Sequence, residues 1–166
     1  MTLRLSKIVM CRCLAAFAFL VAFGNITDYG SNFAFVQHVL NMDTTFPGNA
    51  LMYRSITNPA LWTAGYWLII LGEALTCLLY LVAAWSLWRA RKASAQDFND
   101  AKKFAVIAAT MGFLIWYFGF MVVGGEWFAM WQSSIWNGQQ KAFMLYMTML
   151  AVLIFVIQPD GDLRKG

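Results

Sequence analysis

The sequence predicts an all-α integral membrane protein, a four-helix bundle with both termini in the cytoplasm, and three observations lead there. Hydrophobic residues make up 61% of the 166 and charged residues only 12%, where a soluble domain averages about 45–50% and about 25%. The apolar residues gather into four long runs, and ten of the twelve Lys and Arg flank one side of those runs. With 17% aromatic residues and a mean hydropathy of +0.60, the chain lacks the polar surface to cover itself in water. Soluble enzymes, disordered tails and disulfide-stapled secreted modules are excluded as classes.

The whole chain, 1–166, reads as a single transmembrane domain without repeats. The first span is expected over 7–27. Cys13 to Gly24 carries no charge, and Ile8, Val9 and Met10 extend the run past Arg12, which reaches back to the headgroups. A cleaved signal peptide is the rival reading, with Arg4, Lys7 and Arg12 before a short apolar core and Ala22-Phe23-Gly24 as the cleavage site. A retained helix is preferred because the other three spans need a fourth to close a bundle.

The connection 28–58 is long for a bundle, where about 2–8 residues is usual. In it Phe33, Val36 and Leu40 share one helical face, which predicts a short interfacial helix in a first periplasmic loop. Asp43 to Asn49 reads as a turn built on Pro47 and Gly48.

The second span, 59–89, opens with Asn58 as N-cap and Pro59 at the first helical position. It closes on Arg89, Arg91 and Lys92, cations suited to a helix C-terminus. The third, 100–125, follows Ser94, Asp97 and Asp100 at capping spacing. Its small residues Ala105, Ala108, Ala109, Gly112 and Gly119 allow close helix approach. They suit packing within the chain, and the same surface would serve a homo-oligomer or a second membrane subunit. The connection 126–138 places Trp127, Phe128, Trp131 and Ile135 at helical spacing, an aromatic belt at headgroup level. The fourth span, 139–158, is a short run from Ala142 to Ile157 extended by Gln139, Gln140 and a snorkelling Lys141, with Met144 and Met147 filling gaps.

Orientation follows from the basic residues. Arg4, Lys7 and Arg12, then Arg89, Arg91, Lys92, Lys102 and Lys103, then Arg164 and Lys165 belong to one side; only Arg54 and Lys141 belong to the other. The positive-inside rule puts the first group in the cytoplasm. Topology therefore accounts for the net charge of +4, and no nucleic-acid surface is needed. Cys11, Cys13 and Cys77 lie in or beside the spans, so buried free thiols are expected and no disulfide.

The strings Asn41-Met42-Asp43-Thr44-Thr45-Phe46-Pro47-Gly48-Asn49 and Gly124-Gly125-Glu126-Trp127-Phe128-Ala129-Met130-Trp131-Gln132-Ser133 resemble the signature segments of a bacterial family called predicted small integral membrane proteins. The likeness spans nearly the whole chain. It implies four helices in a bacterial inner membrane and brings no activity with it.

Glu73 is the sharpest anomaly. It is the single charge between Leu61 and Trp88, fifteen residues after Asn58 and sixteen before Arg89, near the bilayer midplane. An ionisable group there costs about 2.5–3.5 kcal/mol on insertion scales, so the neutral carboxylic acid is its expected resting form. Tyr66, Thr76, Cys77 and Tyr80 fall on the same helical face, and this stripe should face the bundle. It reads either as a protonatable site on a proton, ion or small-molecule path or as a neutral acid bonded to a neighbouring helix.

Asp28, His38, Asp43, Arg54, Glu126, Trp127 and Trp131 are candidates for a site on the periplasmic face, read also as a packed cap over the bundle. His38 with Met42 is too little for a metal site, and no metal or cofactor is expected. Arg54 is expected to pair with Asp28, Asp43 or Glu126. No nucleophile–base pair or phosphate-binding glycine loop is present, so no enzyme is expected. The leading expectation is an accessory or interaction subunit with a periplasmic binding face, its partners the lipid bilayer and a membrane protein. The alternative is a small transporter or proton-linked component using Glu73.

Overall fold

The computed structural model describes residues 1–163. Arg164 and Lys165, counted above among the basic flanks, lie outside the described residues. Six α-helices are present, α1 Thr2–Thr27, α2 Tyr29–Asn41, α3 Pro59–Ala90, α4 Ala95–Ala101, α5 Lys103–Phe113 and α6 Gln139–Ile157, and no strand among the described residues. A π-helical stretch, Leu114–Trp127, continues α5. Four segments are long and apolar enough to cross a membrane: α1, α3, the run from α4 through the π-helix, and α6.

α3 is the spine of the bundle. Its 32 residues extend about 48 Å, well beyond a hydrocarbon core of about 30 Å. Asn58 caps its start by accepting the Ala60 amide at 2.9 Å, and Pro59 follows. Its buried residues Tyr66, Ile70, Glu73, Cys77, Tyr80, Ala84 and Leu87 recur at alternating steps of four and three. α1 keeps the same rhythm through Arg4, Ile8, Cys11, Ala15, Ala18 and Ala22, all buried, and on to Asn25. Two matching seven-residue repeats form a coiled-coil-like antiparallel seam. Ala15, Ala18 and Ala22 bring the backbones close where lipid supplies no hydrophobic drive between helices. A polar residue at such a seam fixes its register, and here Asn25 meets Glu73.

α5 packs its small face, Ala105, Ala108, Ala109 and Gly112, into the same core as α1, α3 and α6. The stripe anticipated there is buried apart from Gly119, which lies in the π-helix. A Cβ on Gly72 would overlap Ile115, and one on Gly112 would overlap Met149. Each glycine is where a neighbouring knob enters its helix. The i→i+5 bonding of 114–127, seen in the Phe128 amide donating to the Val123 carbonyl at 3.0 Å, widens each turn. π-Helical winding is rare and recurs at functional sites.

Both ends of the described chain lie at one end of the bundle, where residues expected to flank the membrane are in fact buried. Arg4 and Lys7 sit inside α1, which begins earlier than expected, and are 1% and 0% exposed. Arg4 donates to the carbonyls of Arg91 (3.2 Å) and Ala93 (2.8 Å) just past α3, and to that of Gly161 (2.9 Å). Lys7 and Lys102 both reach Asp160 Oδ2 at 2.6 Å and the Gln158 carbonyl at 2.5 and 2.6 Å. Cations thus bind backbone carbonyls at and just past the C-termini of α3 and α6, where positive charge suits the helix dipole. Desolvation pushes the Asp160 carboxyl up, but hydrogen bonds and charges from Lys102 and Lys7 prevail and hold it below the usual carboxylate range.

At the opposite, far end the two long connections close over the bundle. α2 lays Phe33, Val36 and Leu40 against Tyr66 and Ile70 of α3. The segment after the π-helix is not the helical aromatic face expected from Trp127, Phe128, Trp131 and Ile135. Ala129 adopts a left-handed conformation (φ 51°) and reverses the chain, so Phe128 and Met130 turn inward while Trp127, Trp131 and Ile135 stay exposed. Met42, also left-handed, ends α2 and joins Phe128 and Met130 in a small far-end core. Of the three cysteines expected to be buried, Cys13 is exposed, on the outer surface of α1.

Candidate intramembrane binding site

Glu73 is 2% exposed and faces the seam between α1 and α3. Glu73 lies level with Asn25 near the end of α1 and with Lys141 near the start of α6, closer to the far end than the midplane position expected, and its partner is an amide: Asn25 Nδ2 donates to Glu73 Oε2 at 2.7 Å. Asn25 is itself held, because the Tyr66 hydroxyl donates to its carbonyl at 2.7 Å. Glu73 Oε1 has no hydrogen-bond partner among the described residues. Thr76 turns its hydroxyl back to the Gly72 carbonyl (2.8 Å), as helix-interior threonines do, and does not reach the carboxyl. Tyr80 lies two turns further on, buried, with its hydroxyl unpartnered. The anticipated stripe therefore faces inward as a whole, but only Tyr66 and Glu73 converge, and Asn25 joins them.

The carboxyl opens onto a cavity of about 270 Å³. α1 contributes Val21 and Asn25, α2 contributes Asn32, Phe35 and Val36, and α3 contributes Tyr66, Ile69 and Glu73. Trp116 and Phe120 enter from the π-helix, and Gly138, Lys141, Ala142 and Leu145 from the start of α6. Lys141 is exposed. α2 acts as the roof. A second cavity of similar size lies beyond it between α2, α3 and the π-helix, and Phe35, Val36, Ile69 and Phe120 line both. Ligand sites are mostly apolar concavities with a few convergent polar groups, and the Glu73 cavity has that character.

The far-end candidates do not converge on a common point. His38 pairs with Asp43 at 2.9 Å and stacks on Trp136 with centroids 4.7 Å apart, whereas Met42 points into the far-end core. No group of three His, Cys, Asp or Glu able to hold a metal exists among the described residues. Arg54 meets none of the carboxylates expected of it. It donates to the carbonyls of Trp127 (3.3 Å) and Glu126 (3.5 Å) and lies over the Trp127 ring, because 3₁₀ turn Met52–Arg54 aims it at backbone. Asp28 sits at the α1–α2 joint, its carbonyl accepting from Asn32. Trp131 meets Phe46 edge-on at 5.7 Å. The two connections are cross-linked by Thr44 to Ser133 (2.8 Å) and by Asn49 to Gln132 (3.0 Å).

Asn25 and the Asp160 cluster escape a reading by sequence alone. Asn25 ends an apolar run and looks like the first loop residue, and its partner is 48 positions away.

The model of a family described as predicted small integral membrane protein matches residues 3–159. No curated protein and no solved structure matches the chain.

Proposed function

We propose that this chain, which belongs to the family of predicted small integral membrane proteins, is a proton-linked, membrane-embedded binding component whose working group is Glu73. The observation that carries this reading is a carboxyl 2% exposed, anchored through one oxygen by Asn25, its other oxygen without a partner among the described residues, on a residue that lines a cavity. Intramembrane acids are functional by default, because their insertion is costly. Ligand entry and proton transfer at Oε1 are then coupled by direct contact. The reading assigns binding and proton exchange, not catalysis. It places the protein in a bacterial inner membrane with both termini cytoplasmic, which the clustering of basic residues supports.

A lipid-soluble carbodiimide tests it, since such reagents add to protonated carboxyls within reach of the hydrocarbon. Dicyclohexylcarbodiimide applied to the protein in vesicles should modify Glu73, seen as a mass increase on its peptide, and Glu73→Gln should abolish that increase. An unmodified Glu73 under conditions that label a control membrane acid counts against the reading.

A second reading, an accessory subunit docking through the far-end face, is favoured by the exposed side chains of Phe46, Tyr53, Trp131 and Ile135 there. Recovery of a stoichiometric membrane partner from gentle detergent would support it.

A further inference from the structure

The apolar cavity beside the Glu73 site is open on its outer side. Leu68 of α3 and Leu114 and Phe118 of the π-helix frame it, and they are 70%, 49% and 53% exposed on the surface that a bilayer would cover. Between them Gly119 leaves the wall bare. A Cβ there meets nothing nearer than the Leu114 carbonyl at 3.8 Å. At its inner side this crevice shares Phe35, Val36, Ile69 and Phe120 with the cavity of Glu73. A side door onto lipid and a buried polar end thus lie side by side, divided by those four side chains.

We infer that the two cavities join, when those side chains turn aside, into one site for a single-chain lipid with a small uncharged hydroxyl or carbonyl head, its chain in the crevice at Gly119 and its head at Glu73 Oε1. This deepens the reading of Glu73 as a binding group and rests on it. The head chemistry follows from the lining. Asn25 and Asn32 offer amides, which both donate and accept, and Glu73 is the acid among them. A phosphate or carboxylate head placed at Glu73 Oε1 would meet that acid as a like group, and Lys141, the cation in the lining, is exposed. A crevice of about 270 Å³ takes most of one short alkyl chain and has no room for a second. Long-chain alcohols and short-tailed quinones share the required chemistry.

The probe is dodecanol carrying a diazirine near the end of its chain, irradiated with the full-length protein in phosphatidylcholine vesicles and mapped by mass spectrometry. Label should concentrate on the peptides of Leu68 and of 114–119. Excess dodecanol or a decyl-tailed benzoquinone should suppress it, and whichever suppresses it at lower concentration identifies the head as hydroxyl or carbonyl. Gly119→Leu, whose Cβ meets no atom nearer than 3.8 Å, should cut labelling about tenfold, the order expected for obstructing an apolar pocket. Glu73→Gln should weaken the competition while the labelled positions stay the same.

Label spread evenly over the lipid-facing leucines, indifferent to Gly119→Leu, overturns the inference. So does suppression by dodecyl phosphate in preference to dodecanol, or competition untouched by Glu73→Gln. If carbodiimide modifies Glu73 while the crevice goes unlabelled, the single-chain ligand fails alone and the protonatable site stands.

Discussion

Asp160→Ala should lower the stability of the protein by about 3–5 kcal/mol, the cost of breaking a buried ion pair from one side. The carboxylate is shared by two ammonium groups, Lys7 and Lys102, each 2.6 Å from the same oxygen. Removing it leaves two like charges facing each other in a buried site, with only the carbonyl of Gln158 and the side chain of Asn99 to receive them. Because Arg4, Lys7 and Lys102 hold residues 158–161 against the ends of α3 and α4, the loss should loosen α1 and α6 together. Thermal unfolding in detergent measures it. Adding Lys7→Met to Asp160→Ala should recover part of the loss, which a nonspecific packing defect would not allow. The same pair predicts a pH dependence. The Asp160 carboxyl is held below its ordinary range when folded, so its stabilisation is present above the unfolded value of about 3.9. It is lost as pH falls through the folded value, and Asp160→Ala should remove that acid-side loss.

Gly72→Leu is the second large effect. A Cβ at Gly72 overlaps Ile115 Cδ1 and comes within 2.9 Å of Ile115 Cγ1, so even the first carbon displaces a branched side chain at the α3–π-helix contact. Overpacking of this kind costs about 1–3 kcal/mol. Gly72 immediately precedes Glu73, and Ile115 precedes Trp116, a wall of the Glu73 cavity. The wedge should therefore destabilise the fold and also alter carbodiimide reactivity at Glu73. Ile115→Ala in the same chain makes room and should restore much of the stability. An unchanged unfolding temperature in Gly72→Leu would mean that the two segments do not approach as described.

Four apolar spans are legible in the sequence because uncharged runs of this length have few alternatives in water. The inward stripe on α3 is legible too, since Tyr66, Glu73 and Tyr80 repeat at helical spacing. Long-range pairing is not. Nothing near Asn25 says that it will meet Glu73, and nothing near Asp160, just past the last span, says that two buried lysines will share it. The sites of Arg4 and Lys7 look like ordinary flanking charges until α3 and α6 bring backbone carbonyls to them. The π-winding of 114–127 leaves no clear period to read. The spacing of Trp127, Phe128, Trp131 and Ile135 suggests a helix, but the left-handed turn at Ala129 intervenes. The spacing of Phe33, Val36 and Leu40 points to a helix in the first connection but not to its role as the roof over Glu73.

The central claim is that Glu73 takes up and releases a proton within the bundle. Infrared difference spectroscopy of the protein in vesicles, titrated with pH, reads the carbonyl stretch of a protonated carboxyl directly. Above the acid range in which Asp160 titrates, the account predicts one such band from a buried acid that titrates, disappears in Glu73→Gln and shifts in Asn25→Leu, where the hydrogen bond to Oε2 is gone. A spectrum in which that band is absent, or survives Glu73→Gln unchanged, would contradict it.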